Sequence, residues 1–227
     1  MLLNNMANIP VQFRKSSEAA IASYSYTDLA EGTGVVTYQG FSTKEDTTTD
    51  YHLGITIVHS ADIEKELGSS SGTSFTAGTE IDFDLAQFNL PKSIEGTALI
   101  QIPTYCYTTS GGSGTFTGYI QVKLRKWDGS TETEIANTRT PDISCAAGGT
   151  NNHKVNLMPL TIPKTHFKKG EILRISITGW SKWSAALNGH IGMGCDPLNR
   201  DGTYIVPSVD TDMTTQFTNY IPFKIDL

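Results

Sequence analysis

Residues 80–85 read Glu-Ile-Asp-Phe-Asp-Leu, acidic and apolar in strict alternation. Successive side chains of a strand point to opposite faces. This segment therefore has a wet face, Glu80, Asp82 and Asp84, and a dry face, Ile81, Phe83 and Leu85. The same period of two runs through residues 35–40, 53–59 and 98–107. In 119–127 it turns Ile120, Val122 and Leu124 inward and the charges outward. Asp128-Gly129 follows as a two-residue hairpin signal, because both positions accept positive φ, and the return strand is read over 131–138. Alternation resumes at 155–157, 160–162, 172–177, 189–195 and 217–225. These nine or ten short strands are separated by Gly, Pro, Ser and Asp turns, with no convincing helix between them.

Strands wet on one face and dry on the other pair as antiparallel sheets, and two such sheets bury their dry faces together. Eight or more strands with long cross-connections fit an all-β, antiparallel β-sandwich of jelly-roll type better than a seven-stranded immunoglobulin-like one. The sandwich is expected over residues 31–227, preceded by an N-terminal arm over 1–30. Within the arm, Ser16–Ser23 has helical composition but is too short to stand alone in water.

Composition narrows the function classes. Charged residues make up 18% of the chain and the net charge is −6, which argues against a sequence-independent grip on nucleic acid, since that needs clustered Lys and Arg. No apolar run approaches the ~20 residues of a membrane-spanning helix. Cys106, Cys145 and Cys195 are widely spaced and form no Cys-x-x-Cys pair, which excludes zinc ribbons and redox motifs. Three reduced, buried thiols are expected, with one disulfide plus one free thiol as the alternative.

Chemistry-bearing patterns are sparse. The five histidines form no His-x-His pair, and no Gly-x-Ser-x-Gly elbow occurs, so neither catalytic nor metal-ligating residues are assigned and no cofactor is expected. Glu80, Asp82 and Asp84 form an acidic stripe, read as the solvent side of its strand rather than as paired carboxylates for sugar hydrolysis. Asp196, Asn199 and Asp201 offer oxygen ligands for a weak calcium site, but their spacing is not that of an EF-hand and Arg200 intrudes. A structural Asx turn is the favoured reading there. Trp180 and Trp183, at the end of a strand, are candidates for glycan stacking or subunit contact.

Three segments together carry a resemblance: Tyr26 to Gly34, the turn Phe167-Lys168-Lys169-Gly170-Glu171, and Asp196 to Thr203 leading to Ile221–Leu227. This arrangement resembles jelly-roll virion structural proteins of bacterial and archaeal DNA viruses. The resemblance implies a non-enzymatic capsid or capsid-associated protein located in the virion. It implies homo-oligomers that pack against copies of themselves and other virion proteins, with a host glycan as a further partner and no direct contact with nucleic acid. A carbohydrate-binding β-sandwich using exposed Trp is the alternative.

Overall fold

The computed structural model describes residues 22–23, 33–70, 72–109, 113–183, 189–200 and 214–224. Every regular element among them is a strand. In chain order these are β1 (Ala22–Ser23), β2 (Thr33–Glu45), β3 (Thr48–Gly54), β4 (Glu64–Ser70), β5 (Thr76–Leu85), β6 (Lys92–Thr108) and β7 (Thr115–Trp127). Then come β8 (Glu132–Arg139), β9 (Ile143–Ala146), β10 (Asn151–Phe167), β11 (Ile172–Trp183), β12 (Gly189–Gly194) and β13 (Phe217–Lys224). The all-β sandwich expected from the alternation is what forms.

Hydrogen bonding runs through the order β4-β12-β6-β13-β2-β3-β5-β11-β7-β8, with β10 on the other edge of β6 and β9 on β7. All pairs are antiparallel except the short parallel pair β3–β5, which joins Tyr51–Leu53 to Phe83–Leu85. The ladder folds back on itself, so β4 and β12 lie against β11, and β6 lies against β7. Between the layers sits one apolar core, in which Phe83, Ile100, Phe116, Val122, Ile175 and Phe217 are all fully buried.

Two glycines permit close approaches, one between layers and one between neighbouring strands. A Cβ on Gly78 would stand 2.1 Å from the Leu67 carbonyl oxygen and 2.7 Å from the Gly68 Cα, so β4 crosses β5 backbone to backbone. A Cβ on Gly192 would meet the Tyr105 hydroxyl at 2.2 Å, because that ring lies across β12.

The strands differ from the sequence reading in several places, among them β4 and β9, which it did not contain, and four more with a physical reason. Ala22–Ser23, the end of the segment with helical composition, is extended and pairs with Val35 and Val36. The strand expected over 53–59 stops at Gly54, and Ile57 is 58% exposed. The turn after β7 spans four residues: Asp128 Oδ1 accepts the backbone N–H of Ser130 (2.9 Å) and Thr131 (2.7 Å), so β8 begins at Glu132. β10 runs unbroken through Pro159 and Pro163, which an edge strand tolerates because one side of it makes no ladder bonds.

The cysteines also differ from expectation. Cys106 on β6 and Cys145 on β9 form a disulfide, and Cys195 is a free, buried thiol. Burial, with the charges of Asp62 and Asp196 nearby, pushes the Cys195 thiol far above its usual range. Among the described residues no helix is long and apolar enough to cross a membrane.

Candidate functional site

The outer face of β5, β11, β7 and β8 is where polar and aromatic side chains gather. Antiparallel register places directly opposed residues on one face. It builds rows across the sheet: Trp180 beside Tyr119, then Glu80–Thr178–Gln121, then Asp82–Ser176–Lys123, then Asp84–Arg174–Arg125. The acidic stripe of β5 is thus half of a charge ladder.

At its ionic end, Arg174 holds Asp84 through two parallel bonds, Nε to Oδ1 at 2.6 Å and Nη2 to Oδ2 at 2.8 Å. This is the planar fork that suits guanidinium to carboxylate. Its Nη1 also reaches Glu132 at 2.5 Å. Arg125 Nη1 bridges Glu80 and Glu132 at 2.7 Å each. Hydroxyls complete the shell: Ser176 donates to Asp82 at 2.5 Å and Thr178 donates to Glu80 at 2.9 Å. Burial alone would raise the Glu80 pKa, but the hydrogen bonds from Arg125 and Thr178 and the positive charges of Arg125 and Lys123 hold it below the usual carboxylate range. A groove of about 440 Å³ opens beside this ladder, lined by Asp50, His52, Glu80, Asp82 and Asp84 among others.

At the aromatic end, Trp180 and Tyr119 lie parallel, 8° apart with centroids 6.0 Å apart. Phe75 meets Tyr119 edge-on at 5.0 Å. Arg139 covers the Tyr119 ring at 4.4 Å and Lys182 covers Phe75 at 4.5 Å. The Trp180 indole N–H donates to Gln121 Oε1 at 3.2 Å, which fixes the ring and directs the Gln121 amide.

The two tryptophans of the sequence reading part company here. Trp180 is half-buried on this outer face. Trp183 is fully buried, packed edge-on against Phe116 at 5.8 Å, and presents no surface to a glycan or a subunit; its candidacy for such contact is corrected. They stand three residues apart, and an odd separation in a strand puts them on opposite faces. That signal was present in the sequence.

Asp196 and Asn199 serve a turn. The Asp196 side chain is fully buried and accepts the Arg200 backbone N–H and Nε, both at 2.8 Å, and Arg200 Nη2 at 3.1 Å. Asn199 sits at φ 52° and accepts the Thr215 N–H at 2.8 Å. Protein donors thus occupy the Asp196 oxygens that a calcium ion would need. Asp201 lies outside the described residues. Among the described residues no three His, Cys, Asp or Glu side chains are grouped to hold a metal.

Burial raises the Asp196 pKa, and the bonds from Arg200 more than offset it, leaving the carboxyl below its ordinary value. A depressed folded pKa gives stability that is present above the unfolded pKa and lost as pH falls through the folded one. With Glu80 shifted the same way, unfolding free energy is expected to hold above about pH 5 and to fall steadily below about pH 4. Asp196→Asn is expected to cost about 1–3 kcal/mol at pH 7 and to flatten that acid slope. Urea unfolding between pH 2.5 and 7 measures both, and parallel curves for the two proteins would refute the assignment.

No protein-family model matches the chain, and no curated protein matches it in sequence. Several solved structures are similar in strand arrangement. One is an α-amino acid ester hydrolase labelled with selenomethionine (11% identity, TM-score 0.42, covering 64% of this chain and 25% of that one). Another is an aminopeptidase from the marine sediment archaeon Thaumarchaeota archaeon (10%, TM-score 0.45, 82% and 36%). A third is a CocE/NonD family hydrolase from Staphylococcus aureus (8%, TM-score 0.42, 82% and 36%). The chain spans between a quarter and about a third of these hydrolases. A structure of infectious bursal disease virus, Gx strain, matches at a TM-score of only 0.23. The expectation of a non-enzymatic capsid or virion protein is therefore corrected: hydrolases stand ahead of the viral structure. At these scores the likenesses assign neither an activity nor a substrate.

Proposed function

We propose that this chain recognises a saccharide, with the outer face of β5, β11 and β7 as the recognition surface. The observation that carries this reading is Trp180, half-buried on an open sheet face beside Tyr119 and tied to Gln121. A sugar ring offers an apolar C–H face and an edge of hydroxyls. An indole supplies the first contact by stacking, and amide, hydroxyl and carboxylate groups supply the second. Arg139 and Lys182 already cover Tyr119 and Phe75, so Trp180 is the ring left for a ligand. The rows beyond it, Glu80–Thr178–Gln121 and Asp82–Ser176–Lys123, follow at intervals of about 6.7 Å, a strip suited to an extended chain of sugars.

Affinity electrophoresis through gels containing neutral or acidic soluble polysaccharides tests the reading. The wild-type chain is expected to be retarded in at least one gel. Trp180→Ala should weaken binding at least tenfold with an unchanged circular-dichroism spectrum, and Trp180→Phe should fall between. Free migration of the wild type in every gel, or wild-type retardation of Trp180→Ala, would end it.

A further inference from the structure

The opposite outer face is of a different kind. Register sets Pro159 beside Leu99, Leu99 beside Tyr220 and Val35 beside Pro222, so outward positions of β10, β6, β13 and β2 share one surface. Val155 (51% exposed), Leu157 (59%), Leu99 (39%) and Val35 (39%) all lie there. These are four of the seven exposed large apolar side chains among the described residues. The outward positions between them are Thr, Gln, Pro and Tyr; charge begins only at the margins, with His153 two residues before Val155 on β10 and Lys224 two residues after Pro222 on β13, paired with Glu95 at 3.1 Å. A single exposed Leu is ordinary, but a contiguous apolar patch with no charge marks an interface.

We infer that this face is a self-association surface, and that its occupant is the same face of a second copy. Charge decides the occupant. The chain carries a net −6, so two copies repel wherever acidic surfaces meet. Glu80, Asp82, Asp84 and Glu132 stand on the outer face of the other layer, with the ionic ladder of β5, β11, β7 and β8. A two-fold pairing through the uncharged face sets those carboxylates at maximum separation and leaves the Trp180 face open on both copies. A charged partner would find nothing to pair with across the middle of this face, whereas an uncharged sheet centre can pair with its own copy.

The size of the face sets the strength. Four strands at ~4.8 Å and about seven residues at ~3.3 Å span roughly 400 Å², below the ~800 Å² per partner of a standard stable interface. The dimer is therefore weak and concentration-dependent.

Sedimentation velocity between 5 and about 500 µM protein, at 50 mM and 500 mM NaCl, tests the inference. Mass should rise towards the dimer with concentration, and salt should strengthen association by screening the −6 charges. Leu157→Lys should raise the dissociation constant at least tenfold. Val155→Lys, at a second exposed site, should do the same, and both variants should keep the wild-type melting midpoint because neither position is core. A wild-type chain that stays monomeric at 500 µM would overturn the inference, as would association that salt dissolves or that both lysine variants retain.

Discussion

Trp183→Ala is expected to lower unfolding free energy by about 3–5 kcal/mol. The side chain has no exposure, packs edge-on against Phe116, and its backbone N–H donates to the Gly72 carbonyl at 2.6 Å. Truncation removes the largest fully buried side chain and leaves a cavity that neighbours cannot fill, since Gly189 already lies so close that a Cβ there would meet the Phe116 and Trp183 rings at 2.1 and 2.7 Å. For a chain of this length each kcal/mol moves the melting midpoint about 2–4 °C, so a fall of roughly 6–20 °C should be seen by calorimetry. Trp180→Ala, on the outer face, should move it by only a few degrees. Equal shifts for the two variants would mean that the assignment of one tryptophan to the core and the other to the surface is wrong.

Opening the Cys106–Cys145 disulfide should have a comparable effect. The bridge ties β6 to β9 across 39 residues of sequence, and closing a loop of that size in the unfolded chain stabilises the folded one by about 3–4 kcal/mol. Melting in a phosphine reductant should occur roughly 6–16 °C below melting in its absence. A thiol titration adds an independent reading. The folded oxidised protein should show no reactive thiol and the oxidised protein in guanidinium should show one, Cys195, which is buried and held in its neutral form. Three thiols under those conditions, or coincident melts, would remove the bridge from the account.

Much of the architecture was legible in the chain because a period of two is a local property. Ile81, Phe83 and Leu85 point inward as read, and so do Ile120, Val122 and Leu124. What was not legible depends on partners distant in sequence. The acidic stripe of β5 looks like bare solvent-facing surface until β11 brings Arg174 across 90 residues to Asp84. Cys106 and Cys145 become neighbours only through packing of β9 near β6. The strand over 64–70 has no clean alternation, since Glu64 and Leu67 are buried while Glu66 is only partly so, and its pairing with β12 slips in register at Ile191/Gly192. Trp180 and Trp183 are the opposite case: their odd spacing was sufficient to separate them, and it was their residue type that drew them together.

The place of β13 has a consequence for synthesis. It lies between β6 and β2, hydrogen-bonded to both, although some 109 residues of sequence separate the end of β6 from its start. While the ribosome is still reading that interval, β6 and β2 have no strand between them and each exposes a bare edge. A nascent chain therefore cannot zip up in order of emergence. It must hold an incomplete sheet until residues 217–224 arrive, which makes that window the one in which chaperones matter most and aggregation competes hardest.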